Sequence, residues 1–307
     1  MYKGQITDIK GIEVGHAQDI GAGTGCTVIL CRQGAVAGVD VRGSAPGTRE
    51  TDLMRPGNLV DKVHAIILAG GSAFGLAAAD GVMAFLEKEG IGFDTGAAHV
   101  PIVAGAVLFD LAYKDSKVRP DAAMGYQACQ RAKGGVIDQG SVGSGTGATV
   151  GKVLGMESAM KGGIGTASII LPDGIVVGAI VAVNAFGDIV DLTSKNIIAG
   201  ARNPQTGDFL DTCNYLMTSS HQTRDFPGNT TIGVVATNAK LSKEQANKLA
   251  SISHDGLALA IRPVHTMVDG DTMFALSTDQ VQGDMISIGA AAVEVTARAV
   301  VNAIKNV

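Results

Sequence analysis

Apolar residues fall along this chain in short runs separated by glycine-rich turns, a pattern that predicts many strands and a few amphipathic helices. Thr27-Val28-Ile29-Leu30 and residues 35–41 predict two strands of a hairpin around Arg32-Gln33-Gly34. Residues 65–69 predict a buried strand that runs through Gly70-Gly71 into a helix with Ser72 as its N-cap. Ala77, Ala78, Val82, Met83 and Phe85 or Leu86 form that helix's apolar face. Residues 101–111 are apolar enough for either element, and residues 121–132 predict a short helix. Residues 165–171 and 175–183 read as strands around Pro172-Asp173-Gly174. Ser242 and Gln245 have capping-box spacing ahead of Ala246, Leu249, Ala250 and Ser253 at helical intervals. Asp284 caps a last amphipathic helix through Ile304. Two stretches break the pattern. Residues 42–57 form a polar loop longer than compact domains usually carry, and residues 188–229 are polar and aperiodic, as a flexible segment leading to a processing site would be.

Composition narrows the class. The chain has 307 residues, 46% hydrophobic and 17% charged, enough to bury a large core without staples. With 42 glycines, no Trp and few aromatics, that core rests on Ala, Val, Ile and Leu. The formal charge is −5 and no Lys/Arg run appears, which argues against a nucleic-acid partner. No long uninterrupted apolar stretch predicts a membrane span, and MYKGQITDIKG lacks the apolar core of a signal peptide, so a cytoplasmic protein is expected. Cys26, Cys31, Cys129 and Cys213 match no zinc spacing and read as reduced, mostly buried thiols.

The candidate chemistry centres on GNTTIGVVATNA, residues 228–239. Thr230 and Thr231 open an apolar run of the length of a buried strand. One reading is a plain strand, since Thr favours strands. The other is that the Asn229–Thr230 bond is cut by the chain itself, leaving Thr230 as an N-terminal residue. Its α-amino group, titrating near pH ~7.7–8.0, could then serve as base for its own hydroxyl. Self-cleavage needs only that hydroxyl, attacking the Asn229 carbonyl. Asp269 and Asp271 flank Gly270. On an extended segment both carboxylates share a face, while Asp-Gly is also ordinary hairpin chemistry. Lys152 ends the glycine-rich GSVGSGTGATVGK and reads either as a surface lysine or as a group brought close to a ligand. Asn184, after an apolar strand, is a turn residue or an oxyanion donor. The glycine-rich segment misses the phosphate-loop spacing, GGSAFG misses both the dinucleotide and nucleophile-elbow patterns, and His254 and His265 read as ordinary polar or core residues.

Taken together, VRGSAPGTRETDLMRP, LAGGSAFGLAAADGV, GSGTGATVGK, VAVNAFGD, GNTTIGVVATNA and DGDTMFALSTD, in this order, resemble the DmpA/NylC-type family of N-terminal-nucleophile hydrolases over nearly the whole chain. That family includes L-aminopeptidase/D-esterases, β-aminopeptidases and nylon-oligomer hydrolases. The resemblance implies an α/β fold, a four-layer αββα sandwich in one domain, 1–307. It implies self-cleavage into 1–229 and 230–307, and tetramers of the resulting αβ units. It makes Thr230 the nucleophile, Asp269 and Asp271 the acidic pair that orients it, and Lys152 and Asn184 aids to nucleophile and oxyanion. No cofactor or metal is expected, and the substrate is a short peptide, an amino-acid amide or an ω-amino-acid oligomer. Where several members have a tyrosine near the site, this chain has Phe109, which offers no hydroxyl. Two other functions compete. TNA and KGGIGTAS are also similar to segments of ornithine acetyltransferases, which would make the chain an acyltransferase, and an uncleaved chain would be a non-enzymatic binding protein.

Overall fold

The computed structural model describes residues 1–219 and 228–307. Three apolar cores divide it into four layers. Helices α4 (Lys243–Ala260) and α5 (Met285–Lys305) cover one core with Leu249, Leu257, Val295 and Val300, against Val181, Val183, Val235 and Met273 of the sheet. Helices α1 (Ala78–Lys88) and α2 (Ala122–Gln130) cover another, where Val82, Leu86 and Cys129 meet Val28, Leu30 and Ile67. Between the two strand layers lies the third, with Ile29, Ile66, Leu68, Ile180, Val234 and Phe274. Neighbouring residues of one strand alternate between cores, as Val234 and Val235 do. Both faces are buried, which is why these strands read as unbroken apolar runs. The expected αββα arrangement is therefore the one observed.

Among the described residues nine strands form one sheet, folded into two layers. Its order is Gly163–Ile170, Val176–Asn184, Thr230–Ala239, Thr272–Val281, Thr24–Val41, Lys62–Ala69, Val103–Val107 and Thr48–Arg49, with Glu13–Asp19 also paired to Thr24–Val41. Thr24–Val41 is one long strand, not the expected hairpin. Residues 26–30 and 35–36 pair with Lys62–Ala69, residues 36–41 pair with Thr272–Val281, and the register with Lys62–Ala69 shifts between Leu30 and Ala35. Arg32-Gln33-Gly34 thus marks a bulge within the pairing to Lys62–Ala69, just before the strand takes up Thr272–Val281, with Gly34 at φ +72°.

Several other expectations change. Ser72 is not an N-cap: it has φ +54°, its N–H bonds to Leu108 O, and a 3-10 turn over Ser72–Ala77 precedes α1. Tying the turn to the neighbouring strand outweighs capping there. The 188–229 stretch is not featureless, for Asp188–Val190, Ile197–Ala199 and helix α3 (Thr212–Thr218) lie within it. Buried Asp188 holds them together, accepting from Ala201 N at 3.0 Å and from Thr212 N and Oγ1 at 2.6 and 2.8 Å. The remainder of the expected flexible segment, residues 220–227, lies outside the described residues. Ser242 and Asp284 cap α4 and α5 as expected, and the short helix expected over residues 121–132 is α2, with Asp121 at its N-cap. Helix α5 is long and apolar enough to span a membrane, but most of that apolar surface is spent against the sheet.

One connection positions the site. Thr230–Ala239 and Thr272–Val281 run parallel, which requires a crossover, and α4 provides it. Parallel strands bring their N-terminal ends side by side. Val176–Asn184 runs antiparallel on the other side of Thr230–Ala239 and ends with Asn184 opposite Thr230. Three strand ends therefore meet at one point.

Candidate active site

That meeting point gathers all the residues expected at the site, and all of them are buried. Thr230 is 4% exposed, Lys152 1%, Asn184 0%, Asn229 1%, Asp269 2% and Asp271 1%. Thr230 begins its strand, and its hydroxyl donates to the carbonyl of Asn229, the residue before it. The same carbonyl accepts the Gly270 N–H at 2.9 Å, where a parallel bridge between Asn229 and Asp269 stands ahead of both strands. Asp269 and Asp271 are thus not the flanks of a hairpin turn. They stand on extended backbone entering a central strand.

The two carboxylates have different partners. Asp271 accepts from Thr231 N at 2.6 Å through Oδ1, and from His265 N at 3.0 Å and Nδ1 at 2.8 Å through Oδ2. Asp269 turns the other way, to Thr266 N at 2.9 Å and the Thr266 hydroxyl, with Phe186 N at 3.4 Å. Burial pushes the Asp269 carboxyl upward, and the Asp271 carboxylate adds to the shift. His265 and Thr266 are the residues that sequence reasoning missed. His265 takes φ +56° and packs edge-on against His254, ring centroids 4.7 Å apart. No spacing marks it, because its role depends on a turn that folds back onto a carboxylate six residues later.

Lys152 is no surface lysine. Its Nζ lies 2.8 Å from Asn184 Oδ1 and 3.0 Å from Asn184 O, and its own N–H donates to Phe186 O. Gly151 makes the inward turn possible, with φ +71° and a place where an added Cβ would sit 2.1 Å from Ala201 N. Burial lowers the Lys152 pKa to about 7, against the opposing pull of Asp269 and Asp110. A lysine in that range is partly neutral near physiological pH and can accept a proton. Asn184 is in the site, but its amide nitrogen donates to Phe109 O at 2.8 Å and so does not face the Asn229 carbonyl. Phe109 also packs beside Gly228, and with Tyr113, Thr149, Lys152 and Met156 it lines a narrow cleft. Tyr113, Thr149 and Met156 continue into a cavity of about 430 Å³ shared with Glu157, Met160 and Lys161. Each of the three Lys161 Nζ bonds goes to a backbone carbonyl, of Gly145, Ala148 and Gly162. Among the described residues no His/Cys/Asp/Glu group could hold a metal ion.

The family model described as Peptidase family S58 matches residues 4–306. An uncharacterized aminopeptidase of Mycobacterium leprae is 44% identical over 337 residues, covering 97% of this chain and 89% of that protein. A 6-aminohexanoate-oligomer endohydrolase of Kocuria sp. is 35% identical over 282 residues, covering 89% of this chain and 75% of that protein. Among solved structures, the L-aminopeptidase D-Ala-esterase/amidase of Ochrobactrum anthropi, described as a variant of the Ntn hydrolase fold, superposes with a TM-score of 0.73 at 20% identity. It covers 97% of this chain and 85% of that one. A Burkholderia sp. beta-aminopeptidase gives 0.70 at 24% identity, with 97% and 85% covered. At those identities the structural likeness is one of fold. The sequence relatives carry the activity, hydrolysis of amide bonds, and favour it over acyl transfer. With the match running through all but the first three residues and the last, the chain belongs to Peptidase family S58.

Proposed function

We propose that the chain cuts its own Asn229–Thr230 bond, and that the Thr230 so exposed hydrolyses amides through an acyl-enzyme. The observation that carries this reading is the Thr230 hydroxyl, buried against the carbonyl of the peptide bond it would open, with Asn184 paired opposite Thr230 and holding the amine of a lysine with a depressed pKa. In the precursor Thr230 has no free amine, so Lys152 is the base for the first cut. Afterwards the Thr230 amine takes that part, with Asp269 and Asp271 as the acidic pair that holds it when it carries a proton. Asp271 also fixes the next peptide N–H, that of Thr231, and so the orientation of the nucleophile.

The same hydroxyl attacks both the Asn229 carbonyl and the substrate carbonyl. The substrate's acyl group therefore takes the side on which Asn229 and Gly228 stand in the precursor. Gly228 lines the cleft that opens into the 430 Å³ cavity. Its walls of Tyr113, Met156 and Met160, with exposed Glu157 at the rim, suit an acyl chain carrying an amine at some distance from the carbonyl. Among short peptides, amino-acid amides and ω-amino-acid oligomers, this favours β- and ω-amino acyl groups. A tetramer of αβ units in the cytoplasm completes the proposal.

Denaturing electrophoresis of purified protein should give two bands, the smaller beginning Thr-Thr-Ile-Gly. A panel of L-amino-acid p-nitroanilides, β-alanyl amides and 6-aminohexanoate oligomers should show turnover, weighted to the last two. A single full-length band that hydrolyses these substrates would overturn the self-cleavage reading.

A further inference from the structure

We infer that the backbone N–H of Gly270 is the oxyanion donor for self-cleavage, a role that rests on the proposed cut at Asn229–Thr230. In the step itself, a bond forms between Thr230 Oγ and the Asn229 carbonyl carbon, and the carbonyl π pair moves onto the Asn229 oxygen. The C–N bond then breaks, and the hydroxyl proton ends on the departing Thr230 nitrogen. Water afterwards opens the ester to the Asn229 carboxylate and the free hydroxyl. Negative charge therefore develops on one atom, Asn229 O. The protein groups on that atom are the attacking hydroxyl and the Gly270 N–H, the latter at 2.9 Å. Once Oγ gives up its proton, Gly270 is the donor left among the described residues.

The Asp269–Gly270 peptide is clamped for this task. Its carbonyl accepts from Ala45 N at 2.9 Å, on the side opposite the N–H. The next carbonyl but one, that of Asp271, accepts from Arg42 N and Gly43 N at 3.0 and 3.1 Å. The polar loop that begins at residue 42 thus backs the segment and fixes the direction of the donor, so that little reorganisation is needed as charge appears. Only glycine fits: an added Cβ at position 270 would sit 2.6 Å from Ala45 O and 2.8 Å from Thr230 Oγ1. The side-chain amide of Asn184 donates to Phe109 O rather than to Asn229 O, and the residue at 109 has no hydroxyl.

Two measurements on the full chain test this. In the uncleavable Thr230→Ala precursor, a scalar coupling across the hydrogen bond should link the Gly270 amide nitrogen to the Asn229 carbonyl carbon. A folded spectrum in which that carbonyl couples to another donor, or to none, overturns the inference. In a chain whose residue 270 is glycolic acid, an ester oxygen replaces the N–H and no bulk is added. Its cleavage should slow about 10²–10³-fold, the usual loss for one oxyanion donor. Cleavage within about threefold of wild type sinks the Gly270 assignment alone, whereas a wild-type chain that never cleaves sinks the proposed function instead. Should the ester chain fail to fold, the coupling measurement decides.

Discussion

Strand Thr230–Ala239 is buried from end to end and its parallel partner Thr272–Val281 through Ser277, yet the two ends of the pair are built on opposite principles. Toward the C-terminal end the buried polar side chains are neutral and hydrogen-bonded, and charge appears only at the surface, in Lys240 and Asp279. Asn238 accepts from Val176 N at 2.8 Å and donates to Gly174 O at 2.9 Å, and Ser277 donates to Ala239 O at 2.6 Å while accepting from Leu241 N at 3.2 Å. At the N-terminal end stand a buried lysine, two buried carboxylates and the proposed nucleophile. There the Asn229 side-chain amide and the Thr231 hydroxyl have no hydrogen-bond partner among the described residues. An orphaned buried polar group costs about 1–3 kcal/mol. The same strands therefore carry a stabilising end and an end whose polar groups are held ready for reaction.

Changes at the reactive end should cost rate, and the largest loss belongs to Thr230→Ala. It should abolish processing and hydrolysis together, by a factor on the order of 10⁴ or more, with little change in thermal stability. Single-turnover assays with gels of the same samples test both losses at once.

Lys152→Met comes next, with processing slowed about 10²–10⁴-fold, the range of general-base contributions. The wild-type rate should also carry a signature of the lysine. Below pH 7 Lys152 is protonated and cannot act as base, so processing should fall about tenfold per pH unit there and level off above about pH 8. Stability gives an independent sign. The folded pKa lies near 7 and the unfolded value near 10.5, so the unfolded chain binds the extra proton between those values. Stability should then rise with pH across that window, and Lys152→Met should flatten the rise. A processing profile that is flat from pH 5 to 9 would remove Lys152 as the base.

His265→Ala separates the carboxylates. It removes the 2.8 Å contact to Asp271 and leaves Asp269 with Thr266. Losing one such hydrogen bond to a charged group should cost about 1.5–3 kcal/mol, seen as roughly a 10- to 100-fold slower hydrolysis by fully processed enzyme. Asn238→Ala makes the matching change at the quiet end. It should lower stability by about 1–3 kcal/mol in urea titration and leave the rate per folded molecule unchanged.

How far the sequence could be read follows the same division. The strand Val176–Asn184 and the helices after Ser242 and Asp284 were legible because caps and apolar runs are local. Thr230, Asp269, Asp271, Lys152 and Asn184 were legible as a set only through family resemblance. What was not legible is long-range. Gly270 faces Asn229 because a crossover helix makes two strands parallel, and no local pattern shows which strand ends will meet. Likewise Arg32-Gln33-Gly34 looks like a turn until the segments on both sides of it pair with the same strand, Lys62–Ala69, and the second runs on to Thr272–Val281. The Asn184 amide shows the limit of position alone: the residue sits where expected, and its donor points to Phe109.

The smallest effect bears on why the reactive end tolerates orphaned groups. Both polar atoms of the Asn229 side chain are buried and find no partner among the described residues of the uncut chain. Cleavage frees that residue as a new C-terminus, so the desolvation of its amide weighs on the precursor and can be relieved once the bond is open. If this helps drive the cut, Asn229→Ala should stabilise the Thr230→Ala precursor by about 1 kcal/mol, allowing for the small cavity left by the lost amide. In the otherwise wild-type chain it should slow processing only a few-fold, and hydrolysis by processed enzyme should not change, because Asn229 has left the nucleophile by then. Urea melts of the two precursors and a processing time course suffice to check it. A variant that is less stable yet cleaves at the wild-type rate would show that the orphaned amide contributes nothing, and that the difference between the two strand ends lies in their charged groups alone.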